Sequence, residues 1–128
     1  MAILINNNKS MFRKQPKEIN EGNREYKRYL LNADKLKIEK RATQMLFRLI
    51  EGESKALYLL GIEDDGTVRG LTKIELEITL TNIEKIAKSI NAEIKKIRIY
   101  VGGLGNVATV RIILPSDEYN KILDNYYW

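Results

Sequence analysis

"YLLGIEDDGTVRGL", residues 58–71, is the stretch on which the fold turns. Its first half, Tyr58 to Ile62, is a continuous apolar run of strand length, and it ends abruptly in Glu63, Asp64 and Asp65. A run of that kind, bounded by turn residues, marks a buried strand. The Asp65-Gly66 pair is the favoured centre of a tight hairpin turn, which makes "TVRG" a short return strand. A central strand with a reversal at its end needs covering layers on at least one face, and the flanking sequence supplies them.

Upstream, Leu36, Ala42, Met45, Leu46, Leu49 and Ile50 recur at three and four residues, which predicts a helix over 35–50. Asn32 or Asp34 is placed to cap it and Gly52 to end it. Downstream, Thr72 and Glu75 form a capping-box pattern. Leu76, Leu80, Ile83, Ala87 and Ile90 continue it as a second apolar stripe, with Asn91 as the stop. "EIKKIRIYV" and "NVATVRIIL" alternate in strand fashion, with Ile97, Ile99 and Val101 opposed to Lys96, Arg98 and Tyr100. In the second strand Ala108, Val110, Ile112 and Leu114 oppose Val107, Thr109, Arg111 and Ile113, and "GGLG" joins the two as a hairpin. "EYKRYLL", residues 25–31, reads as a further strand with Tyr26, Arg28 and Leu30 on one face. After Pro115 a short helix with an aromatic end is expected. The predicted order is β-α-β-β-α-β-β with a short C-terminal helix: an α+β fold in which two helices pack on one face of a mostly antiparallel or mixed sheet. Residues 1–20 lack a sustained period and are expected to be a flexible basic arm, leaving 21–128 as one domain.

Composition removes whole classes of chemistry. The 128 residues, 44% hydrophobic, suffice for a single core. There is no cysteine and no histidine. Disulfides, thiolate zinc sites and histidine-based triads are therefore excluded. No apolar stretch approaches the roughly 20 residues of a membrane span, and the start lacks a signal-peptide pattern. A cytoplasmic protein without membrane partners is expected. Residues 1–50 hold twelve Lys or Arg against five Asp or Glu, whereas the remainder holds ten against twelve. A basic front half suits a polyanion.

Three segments together resemble a known family: "EGNREYKRYL" (21–30), "TQMLFRLIEGESKALYLLGIEDDGTVRGLT" (43–72) and the capped helix that follows. They are similar to the domain that precedes the GTPase domain in GTP-binding protein 1 and its relatives, proteins linked to translation. A looser likeness is to the AlbA-like domain of Schlafen proteins. The first resemblance implies an RNA- or ribosome-associated role, with tRNA or the ribosome as partner. GTP hydrolysis is not implied, because the chain has no GxxxxGK[ST] and "GGLGNVAT" lacks the lysine of a phosphate loop. A free-standing homologue of that domain is expected rather than an excised one.

Three readings of the acidic turn stand together. In the first, Asp65-Gly66 shapes the turn, and Glu63 and Asp64 are solvated or pair with cations such as Arg69. In the second, implied by the Schlafen likeness, Glu21, Glu25 and Asp64 are catalytic carboxylates. They would hold Mg²⁺ or Mn²⁺ to cleave tRNA or rRNA, and no cofactor is expected outside that reading. In the third the domain binds without catalysis: Lys27, Arg28, Lys37, Lys40 and Arg41 contact phosphates, and Tyr100, Tyr29 or Tyr58 stacks on a base. A protein-interaction or homodimerisation module, using the sheet edge or Tyr126, Tyr127 and Trp128, is the remaining class.

Overall fold

The computed structural model describes residues 2–6 and 14–127. The elements run β1 (Ala2–Asn6), β2 (Arg24–Lys27), α1 (Lys35–Glu51), β3 (Lys55–Leu60), α2 (Lys73–Ser89), β4 (Glu93–Gly102), β5 (Gly105–Ile113) and α3 (Ser116–Tyr127). The strands form one mixed sheet in the order β1-β4-β5-β3-β2. The two edge strands pair in parallel with their neighbours, β1 with β4 and β2 with β3, and the inner pairs are antiparallel. Among the described residues no helix is long and apolar enough to cross a membrane.

All three helices serve one face. Ala56, Tyr58 and Leu60 of β3, Val110 and Ile112 of β5 and Ile97 of β4 meet Met45 and Leu49 of α1 and Ile83 and Ile86 of α2, with Tyr119 and Ile122 of α3 at the margin. The expected stripes are buried or half-buried except at the start of α1, where Leu36 is exposed. The caps form as the sequence predicts: the Asp34 carboxylate accepts from Lys37 N at 2.9 Å, and Thr72 and Glu75 exchange bonds of 3.1 and 2.9 Å. A bulge between Ile94 and Lys96 reconciles the three-residue spacing of Ile94 and Ile97 with a strand, so both isoleucines face the helices.

Four expectations are corrected. First, Ala2–Asn6, placed by the sequence reading in a flexible arm, pairs along β4; the rest of that arm up to residue 13 lies outside the described residues. Second, the strand after residue 24 stops at Lys27. Its carbonyl accepts from both Gly61 N and Ile62 N, at 2.7 and 3.3 Å. Leu30 then crosses to the helix side, where Thr79 Oγ1 accepts from its N–H and Asn82 Nδ2 donates to its carbonyl. Tyr26 and Leu30 therefore do not share a face: Tyr26 packs with Leu59, Ile62 and Val107 on the other side of the sheet.

Third, "TVRG" does not become a strand. Ile62 and Val68 make a single antiparallel bridge, after which Arg69 N and Gly70 N both donate to Gly61 O. The chain then swings across to pair Leu71 with Asn106. Gly61 and Gly70, both at positive φ, allow this close crossing: a Cβ on Gly70 would sit 2.4 Å from Leu104 O. Fourth, the acidic turn is centred on Asp64-Asp65. Gly66 N donates to Glu63 O at 2.8 Å, and Gly66 takes the left-handed position at φ 90°.

Candidate functional site

The end of β3 and the edge strand β2 open a cleft beneath α1. It is lined by Glu18, Glu25, Lys27, Arg41, Gln44, Arg48 and Asp64, around roughly 570 Å³ of open space. On α1, Lys37, Arg41, Gln44 and Arg48 recur at four, three and four residues and so lie on one helix face. That polar face runs beside the apolar one and looks over β2.

Arg48 is the buried anchor of this region. Its guanidinium donates to the carbonyls of Glu21 at 2.9 Å, Gly22 at 3.0 Å and Ile19 at 3.0 Å, and its Nε stands 3.6 Å from Glu25 Oε1. It thereby fastens the segment before β2 and neutralises the buried Glu25 carboxylate. Glu18, half-buried, accepts from Tyr26 N. Burial, followed by a hydrogen bond shared with Glu25, pushes the Glu18 carboxyl up to about 7, and the charges of Glu25 and Asp64 add to the shift. Two carboxyls here share one hydrogen bond, with Asp64 facing them from the turn.

The sequence-predicted carboxylates are thus divided. Glu25 is buried against Arg48, whereas Glu21 and Asp64 are exposed. Glu21 offers Arg48 its backbone carbonyl, and Asp64 accepts Glu18 N on its own carbonyl at 2.7 Å. Among the described residues no group of three or more His, Cys, Asp or Glu is arranged to hold a metal ion, so Glu21, Glu25 and Asp64 are not such a group. The other turn acids have local roles. Glu63 lies 3.8 Å from Arg28 and 3.5 Å from Arg69. Asp65 accepts from Thr67 N at 2.8 Å, and hydrogen bonds with Thr67 hold its carboxyl below the ordinary range.

Of the predicted phosphate contacts, Lys27 and Arg41 converge on Gln44 Oε1 at 3.3 and 3.2 Å. Burial lowers the Lys27 ammonium from its usual value. Lys37 and Lys40 are exposed on the preceding turns of α1. Arg28 lies over the Tyr29 ring at 5.0 Å and donates to Gly70 O. Tyr100 is elsewhere, half-buried beside the Tyr26 cluster on the sheet face away from the helices. Tyr58 is buried on the helix side, its hydroxyl pushed up chiefly by desolvation, and is closed to stacking. Tyr126, Tyr127 and Trp128 lie outside the residues whose side chains are described.

Glu18, Gln44 and Arg48 escape the sequence reading. For Gln44 and Arg48 the four-three-four recurrence with Lys37 and Arg41 is a visible signal; for Glu18, which reaches Tyr26 across a loop, the sequence offers none.

No protein-family model matches this chain. Among curated proteins, GTP-binding protein 2 from mouse and from human is 37% identical to it over 83 residues, covering 65% of this chain and 14% of each relative. An uncharacterized protein of Acanthamoeba polyphaga mimivirus is 34% identical over 114 residues, covering 88% of this chain and 59% of that protein. The chain spans only part of the length of each relative, about one seventh of the GTP-binding proteins. About two thirds of it is similar to a segment of GTP-binding protein 2, and a longer part of it is similar to a segment of the viral protein.

Proposed function

We propose that this chain is a non-catalytic RNA-binding domain, allied to the segment found in GTP-binding protein 2, that takes phosphate along the polar face of α1. The observation that carries this reading is a set of four cations: Lys27 and Arg41 line the cleft, and Lys37 and Lys40 stand on the turns of α1 that precede it. Lys37 and Lys40 are exposed, and Arg41 and Lys27 are held by a neutral amide rather than by a carboxylate. The cleft's most buried acid, Glu25, is compensated by Arg48. The local field at the α1 wall is therefore positive.

Labelled tRNA titrated at several salt concentrations tests it by anisotropy. Affinity should fall steeply with salt, and Lys37→Ala/Lys40→Ala/Arg41→Ala should weaken binding and flatten that dependence by roughly one unit of slope per lost contact. Equal binding by the triple variant would sink the reading. Run with Mg²⁺ or Mn²⁺, the same titration should leave the RNA intact; cleavage abolished by Asp64→Ala would establish the ribonuclease alternative in its place.

A further inference from the structure

The sheet face turned away from the helices carries an arrangement that folding alone does not favour. In the register of the four strands from β2 to β4, Arg24, Leu57, Arg111 and Lys96 lie side by side in one row. Tyr26, Leu59, Thr109 and Arg98 form the next. Arg111 and Lys96 are direct cross-strand partners, and like charges in that relation are destabilising. Neither row contains a carboxylate; among the described strand residues the acid on this face is Glu93, beyond the rows and opposite Ile113. Among the described residues Arg24, Lys96, Arg98 and Arg111 take part in no ion pair. Arg24, Arg98 and Arg111 are exposed and Lys96 half-buried. The β4 bulge at Ile94/Lys96 sets the phase that puts Lys96 and Arg98 on this face with Arg111.

We infer that this face is a second binding surface, separate from the α1 cleft, and that it takes the phosphate backbone of single-stranded RNA. Successive same-face residues of a strand are about 6.7 Å apart and neighbouring strands about 4.8 Å. Lys96, Arg98 and Arg111 therefore form a compact cationic triangle, with Arg24 beyond Leu57. An anion above the Arg111–Lys96 pair relieves their repulsion, and the half-buried Leu57 and Thr109 lie among the cations as the surface for an unstacked base. Tyr26 and Leu59 are buried, but the row from Arg24 to Lys96 and the neighbouring Thr109 and Arg98 are exposed or half-buried, and cations spaced among such side chains suit an unpaired strand, which can lay phosphates and bases on one surface. The ligand class rests on the RNA-binding reading above; the location does not.

The test uses a labelled single-stranded RNA of about a dozen nucleotides with the wild-type chain, with Lys96→Ala/Arg98→Ala/Arg111→Ala and with the α1 triple variant. Circular dichroism checks folding, and acetylation of Lys96 with and without RNA gives a readout on the unmutated protein. The sheet variant should lose roughly tenfold or more in affinity near 50 mM salt, with a shallower salt slope, and RNA should protect Lys96 in the wild type. If the sheet variant binds like the wild type, or Lys96 stays fully reactive under saturating RNA, this surface is wrong while the α1 reading stands. If the wild type binds no RNA, or binds only anionic lipid vesicles or an acidic protein, both readings fall.

Discussion

Arg48 Nε lies 3.6 Å from Glu25 Oε1 with both side chains under a tenth exposed, and the same guanidinium holds three carbonyls of residues 19–22. A single side chain of α1 thus fixes an edge strand, the segment leading into it and one wall of the cleft. Removing it leaves a buried carboxylate and three acceptors without their donor. Arg48→Ala should destabilise the fold by about 3–5 kcal/mol, as expected for breaking a buried pair. Adding Glu25→Gln should recover part of the loss. Urea denaturation of the two single variants and the double variant checks this; strict additivity would mean that the pair is not coupled.

Glu18 gives the fold a pH dependence of unusual sign. Its carboxyl is raised to about 7 by burial and by its bond with Glu25, whereas in the unfolded chain it titrates near the ordinary 4.5. Between those values the native state holds the extra proton, so stability falls as pH rises through that window. The contribution is fully present below the unfolded value and lost above about 7. Denaturation of the wild type should show lower stability at pH 8 than at pH 5, and Glu18→Gln should flatten the difference. A wild-type curve already flat across this range, or a slope that survives in Glu18→Gln, would remove Glu18 as its source.

The glycine crossing at the end of β3 makes a local prediction. Gly70 at φ 74° has Leu104 O where a Cβ would go, and Gly61 at φ 88° faces Asn106 O at 3.1 Å. Gly103, by contrast, has open space around it. Gly70→Ala should cost more than the ~1 kcal/mol of left-handed strain, because backbone must also move. Gly103→Ala should change stability by less than about 0.5 kcal/mol. Thermal melts of both variants decide it, and equal shifts would show that the crossing is not tight.

Periodicity was a sound guide wherever one interaction dominates. The stripes of α1 and α2 and the alternation of β4 and β5 are set by burial, and the caps by bonds within four residues. The errors fall where distant backbone decides. "TVRG" has strand composition, yet Gly61 and Gly70 divert it toward Asn106, a partner more than thirty residues on. The β2 strand ends at Lys27 because β3 and α2 claim the chain beyond it. "AILIN" is apolar enough to be a strand, but the Asn-rich and basic residues after it hid the signal, and its partner β4 lies some ninety positions away. In the cleft, Glu25, Lys27 and Arg41 are residues the sequence singles out, but the burial of Glu25 against Arg48 and the long loop contact that sets Glu18 against Tyr26 depend on distant backbone and leave no local signal.

Lys27 ties stability to binding. Its ammonium is partly desolvated between β2 and α1, which lowers its affinity for the proton, and it is held by an amide oxygen rather than by a carboxylate. A lysine lowered in this way is a charge that the native state bears at a cost, present at neutral pH and relieved only as pH rises past its folded value toward 10.5. Lys27→Met keeps the stem packing and removes that cost. The variant should therefore melt at the same temperature as the wild type or higher, while its affinity for RNA falls and its salt slope drops by about one contact. Melting curves and anisotropy on the same preparations read both effects. Unchanged RNA binding would place Lys27 outside the interface, and a large loss of stability would mean that its bond to Gln44 outweighs desolvation.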